Sequence, residues 1–188
     1  MPLNLCNNHY IYYRASNRQP VSTKVYLVGG STLSLLPVGI VALANSHIHF
    51  CGQSASCSKD TRVQTFYRVE VNGRMYFSAR YGRVHARNSY TVAYRCRDGT
   101  QRFGLVEYYC VLPELVGTAL VVVKQLEILP ISRHTQFGVT DSAINHVANI
   151  IPVQESLRWD VTDLNKIESK CLFINFPSGC SDKYVIIN

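Results

Sequence analysis

The sequence contains no G-x-S-x-G, no G-x-x-x-x-G-K-[S/T] and no G-x-G-x-x-G. Their absence removes the strained nucleophile elbow, the phosphate loop and the dinucleotide turn as sources of function. No C-x-x-C occurs, so the tight knuckle of structural zinc sites is missing. Without any N-x-[S/T], the chain offers no acceptor for N-linked glycans. The opening "MPLNLCNNHYIYYR" lacks the basic flank and apolar core of a signal peptide. The seven cysteines (6, 51, 57, 96, 110, 171 and 180) are odd in number and widely scattered, unlike a disulfide framework. These absences predict an intracellular protein with reduced, mostly buried thiols, in which only Cys51 and Cys57 lie close enough in sequence to suggest a pair. An enzyme is the less favoured class.

Charge is missing altogether from Val25 to Ser58. Within that stretch "VYLVGGSTLSLLPVGIVALA" has the length of a membrane span, with Arg14, Arg18 and Lys24 before it. Gly29, Gly30, Ser31, Thr32, Ser34, Pro37 and Gly39 interrupt it, and it reads better as a strand, a Gly-Gly turn and a short helix. No membrane partner is expected.

What the chain does have is arginine in one place. Residues 62 to 102 hold nine arginines, no lysine and two acids, Glu70 and Asp98, which is 9 − 2 = +7. The formal charge of the whole chain is also +7, so the remainder sums to zero. Such a block points to an anionic partner, nucleic acid or an acidic protein, because guanidinium forks suit phosphates and carboxylates. The alternative is that the side chains fan out to different sides and serve only solubility.

The central half alternates with the period of a sheet. "TFYRVEV" (65–71) sets Tyr67, Val69 and Val71 on one face and Phe66, Arg68 and Glu70 on the other, and Asn72-Gly73 predicts a type I′ turn into "RMYFS". "SYTVAYR" (89–95) alternates again, and Asp98-Gly99 predicts a second hairpin onto "QRFGLVEYYCVL". Further strands are expected at 119–129, 171–176 and 183–187, with a loop from 131 to 142. Residues 146–153 read as a strand, the alternative being a short helix through Ile144 and Val147 capped by Asp141 or Ser142. The sum is a mainly β chain: a single compact β-barrel or strongly bent antiparallel sheet with few short helices, from 25 to 188, preceded by an N-terminal arm from 1 to 24.

Arginines in this block alternate with Tyr67, Tyr76, Phe77, Tyr81, Tyr90 and Tyr94, the combination that single-stranded nucleic acid or a bent duplex backbone would use. Arg80, Arg83 and Arg87 lie three and four apart between two strands and are expected to share one loop. A second constellation is "HIHFCGQSASC". On an extended strand His47, His49 and Cys51 would project from one face, with Cys57 folding back as a fourth ligand for zinc. Asp160 and Asp163 are close enough in sequence to hold a hard cation, although "DVTDL" more simply caps a turn.

"YRVEVNGRMYFSARYGRVHARNSYTVAY" followed by "RFGLVEYYCVL" resembles the C-terminal β-domain of transposon-encoded and transposon-derived animal proteins. "DLNKIESKCLFINF", with "IIPV" and "FGLVEYYC", is loosely similar to the end of bromo-adjacent homology (BAH) domains. Together the resemblances span about residues 63–188. They imply a compact β-barrel binding module, accessory to a catalytic domain, with Arg80, Arg83, Arg87, Asn88 and Tyr90 in a basic strand and Lys170-Cys171 in a closing strand. No aromatic cage for methyl-lysine and no acidic catalytic triad can be placed, so neither role is carried over.

The expected function is therefore a non-enzymatic, nuclear module that contacts nucleic acid through Arg68, Arg74, Arg80, Arg83, Arg87, Asn88, Tyr90, Arg95, Arg97 and Arg102, mostly at phosphates. No cofactor is expected, zinc at His47, His49, Cys51 and Cys57 being the exception considered. The rival readings are a protein-interaction or chromatin-associated assembly domain that meets an acidic partner, and a zinc- or cysteine-dependent enzyme.

Overall fold

Asn72 (φ 52°) and Gly73 (φ 77°) both take left-handed backbone, the conformation that a two-residue type I′ hairpin needs. The hairpin they close, β5 (Arg68–Val71) and β6 (Arg74–Phe77), is the one the sequence predicts. The computed structural model describes residues 18–82, 90–112, 119–130, 150–175 and 183–187. Before the hairpin come β1 (Arg18–Ser22), β2 (Val25–Val28), β3 (Thr32–Leu35), α1 (Val38–Phe50) and β4 (Arg62–Phe66). After it follow β7 (Thr91–Arg95), β8 (Gln101–Val111), β9 (Ala119–Ile128), β10 (Ile150–Asp163), a 3-10 turn (Leu164–Lys166), β11 (Ile167–Asn175) and β12 (Lys183–Ile187).

Among the described residues two antiparallel sheets result. One has four strands in the order β1-β2-β5-β6. The other runs β3-β4-β8-β7-β11-β12-β10-β9, and a further β8–β9 pairing closes six of its strands into a ring, from which β4 and β3 extend. The expected mainly β, barrel-like architecture is what the chain adopts.

Among the described residues three apolar clusters hold these layers. Ala93, Phe103, Leu126, Val153, Cys171 and Val185 come one from each of the six ring strands. Val69, Val71 and Tyr76 of the small sheet meet Val92, Tyr94, Tyr109, Val121 and Val123 of the large one. On the other face of β9, Leu120 and Val122 join Tyr108 and Cys110 beneath Ile40, Ala44 and Ile48 of α1. Strand β9 is thus covered on both faces, which is why "ALVVV" is an unbroken apolar run rather than an alternating one.

Several local expectations change. The stretch 65–71 is not one strand. It breaks at Tyr67 as the chain leaves the large sheet for the small one, so Phe66 enters the cluster of Val69 and Val71 while Tyr67 packs toward α1. Arg18–Ser22, assigned to an arm by the sequence, is a strand paired with β2, and Arg18 reaches across Tyr26 to bond the buried carboxylate of Glu70. After the Gly-Gly turn comes β3 and then a helix of 13 residues that runs through His47 and His49. None of the helices among the described residues is long and apolar enough to cross a membrane. The expected loop at 131–142 and the first part of the 146–153 segment lie outside the described residues.

Candidate functional sites

The arginine block does not stay together. Arg97 lies along α1, donating to the Leu43 carbonyl at 3.0 Å and the Ser46 hydroxyl at 2.8 Å, with its guanidinium over the Phe50 ring. Arg95 holds Glu168 through Nε at 2.8 Å and the Gly99 carbonyl at 2.7 Å. Arg102 stands 3.6 Å from Asp98 and 3.5 Å from Asp160. Arg80 bonds Glu107 at 2.5 Å and lies over Tyr108. Glu107 is the residue left unpaired by a bulge in β8, which turns its side chain toward Arg80. The bond to Glu107 raises the Arg80 pKa, and Glu168 is lowered first by Gln101 and then by Arg95. Four of the predicted contact arginines are therefore engaged with the protein's own groups. Arg83, Arg87 and Asn88 lie outside the described residues, and the half-buried Tyr90 accepts from the Val106 amide through its carbonyl.

Arg68 and Arg74 are placed differently. They open β5 and β6, and β11 of the other sheet brings Lys170 near Arg74 and the β6 rings, while Arg68 stands over Tyr81. The Lys170 ammonium stands 5.4 Å from the Tyr76 ring centre and 5.9 Å from that of Phe77. Arg68 stands 5.1 Å above Tyr81, whose ring is 5.3 Å from Phe77 at 42°. Burial, and then the nearby Arg74, lower the Lys170 pKa. Among the described residues no carboxylate pairs with Arg68, Arg74 or Lys170. Lys170 and Arg74 thus stand near one another, with the half-buried Phe77 and Tyr81 rings reaching from Lys170 to Arg68, and an anion beside Lys170 would relieve its repulsion and desolvation. Sequence reading places Lys170 only in a closing strand, because 94 residues separate it from Tyr76 and only sheet topology joins them.

The expected zinc set is rearranged, because His47, His49 and Cys51 belong to a helix and its C-cap, not a strand. On a helix, positions four apart share a face. His47 and Cys51 therefore converge, with Nε2 and Sγ 3.5 Å apart, while exposed His49 turns away. Cys57 is buried elsewhere, its backbone held by the Asn45 side chain at 2.6 and 2.9 Å. In its place comes Asp163, whose Oδ1 lies 3.1 Å from the same His47 Nε2. Asp163 sits at the cap of the 3-10 turn yet makes no side-chain capping bond.

This is not the geometry of a cysteine nucleophile. A relay needs the thiol on one ring nitrogen and the orienting acid on the other. Here both face Nε2, and the buried Nδ1 has no partner among the described residues. The Cys51 thiol is pushed up by burial and then by Asp163, against smaller opposing effects of Arg97 and Lys166. A second thiol, Cys96, is raised to about 11 by burial and the Asp160 carboxylate. Both are held protonated, the opposite of activation.

No family model, curated protein or solved structure matches the chain. Function here rests on the geometry alone.

Proposed function

We propose that the chain is a non-enzymatic β-module that binds single-stranded nucleic acid through Arg68, Arg74 and Lys170, with Phe77 and Tyr81 as stacking rings. The observation that carries this reading is a set of three cations that have no carboxylate partner among the described residues and lie beside aromatic rings of β6 and the turn after it. Cations supply phosphate contacts and rings supply sequence-tolerant stacking. The reading agrees with a module accessory to a transposon-related catalytic domain and with a nuclear site of action. It narrows the interface from ten expected residues to a smaller set, because Arg80, Arg95, Arg97 and Arg102 already serve Glu107, Glu168, α1 and Asp160.

The test is fluorescence anisotropy with a single-stranded oligonucleotide at two salt concentrations. Each phosphate contact contributes about 0.7 to the slope of log K against log salt on single strands, so three contacts predict a slope near −2. Changing Arg74 and Lys170 together to Ala should flatten it by about 1.4. The same charge loss at exposed Lys59 and Arg62 should leave it unchanged. A flat salt dependence of the native chain overturns the reading.

One observation favours a protein-interaction role instead. Strand β3 is the outer edge of the large sheet and exposes Leu33 and Leu35, with Val38 beyond it at 77% exposure. Edges of this kind accept a strand from another chain. A stable dimer or complex in light scattering without nucleic acid would support that reading over the first.

A further inference from the structure

Independently of the nucleic-acid reading, the geometry points to a divalent metal site of the zinc class formed by His47 Nε2, Cys51 Sγ and Asp163 Oδ1. The three ligand atoms lie within 4.8 Å of one another, with 3.1 Å between Nε2 and Oδ1 and 3.5 Å between Nε2 and Sγ. A tetrahedral ion with bonds of about 2.0–2.3 Å spaces its ligand atoms roughly 3.3–3.8 Å apart, so the two spacings through Nε2 need only small adjustments, and that between Sγ and Oδ1 lies within 4.8 Å.

The donor chemistry asks for a cation. One imidazole nitrogen cannot donate to a carboxylate and accept from a thiol at the same time. Without an ion the ring N–H can at best be shared between the carboxylate and the weakly accepting sulfur. A metal accepts a lone pair from each of the three, and thiolate with carboxylate supplies the two negative charges that neutralise it. Imidazole and sulfur ligands select zinc over calcium or magnesium, which prefer all-oxygen shells.

The site is also built rather than accidental. His47 is 3% exposed and fixed on α1, and Asp163 ends β10, so the ion would fasten the helix to the sheet. All three residues line one cavity of about 190 Å³, which Ser22, Gln53 and Asn165 also line. Three protein ligands with the fourth position facing such a cavity leave room for a water or a small anion on the metal.

The test uses the full chain, stripped with chelator and titrated with Zn²⁺ against a chromophoric competitor. One equivalent should bind. Cys51→Ser and Asp163→Asn should each weaken binding by more than the ~10–100-fold that loss of an outer-shell partner causes, and His49→Gln should not. Cobalt(II) loading should give a sulfur-to-metal charge-transfer band that Cys51→Ser abolishes. Circular dichroism of each variant guards against misfolding. Cys51 is exposed at the helix end and Asp163→Asn keeps shape, so these two decide even if His47→Gln fails to fold. Binding of less than one equivalent, or binding that survives Cys51→Ser and Asp163→Asn, overturns the site.

Discussion

The Tyr94 hydroxyl donates to the Asp160 carboxylate at 2.6 Å, joining β7 to β10, strands that are not neighbours in the sheet. Tyr94 is fully buried, and burial followed by Asp160 drives its pKa upward, so it remains a donor at every ordinary pH. Hydrogen bonds to a charged group contribute about 1.5–3 kcal/mol. Tyr94→Phe should therefore lower Tm by several degrees, read by differential scanning calorimetry, with the far-UV spectrum unchanged.

Arg97 gives a way to separate architecture from binding. Its bonds to Leu43 and Ser46 tie the β7–β8 hairpin to α1. Arg97→Ala should destabilise the chain by about 1–2 kcal/mol in urea titration while leaving oligonucleotide affinity within twofold. Arg74→Ala should do the reverse.

Gly104 lies where β8 crosses close to β9. A Cβ there would collide with the Val123 side chain and stand 2.7 Å from the backbone oxygen of Lys124. Overpacking of this kind costs about 1–3 kcal/mol or more. Gly104→Ala should lower the urea midpoint far more than Gly30→Ala, where a Cβ meets only open space.

Glu155 accepts from Lys124 at 2.9 Å and Lys183 at 2.5 Å, bridging β9 and β12 across β10. Those two bonds, Lys124 first, hold its pKa below the usual 4.5. A depressed carboxylate stabilises the fold above its unfolded pKa, and that stability is lost as pH falls through the folded value. With partial exposure the effect is screened to under about 1 kcal/mol. Native chain and Glu155→Gln should differ in Tm at pH 7 and converge below pH 4.

Sequence alone made the hairpins legible because their turns are local: Asn72-Gly73 and Asp98-Gly99 carry their own backbone requirements. The class of fold followed from alternation between them. The helix was misread at its end because His47, His49 and Cys51 also fit a period of two, and five residues cannot distinguish the periods. Ile40, Ala44, His47 and Ile48, buried at spacings of four, three and one, carried the better signal. Lys170 beside Tyr76 and Asp163 beside His47 were hidden for another reason. Each pairing depends on how strands are ordered in a sheet, and nothing in either residue's neighbourhood along the chain records that order.

The ring of strands has a consequence for how the protein comes into being. Strand β12 sits between β10 and β11, so the circle stays open until Lys183–Ile187 has been synthesised. Before then β10 and β11 each present an unsatisfied edge to the crowded surroundings of the ribosome. Assembly must wait for the last strand of the circle, and a chain cut before residue 183 would carry two adhesive borders in place of a seam.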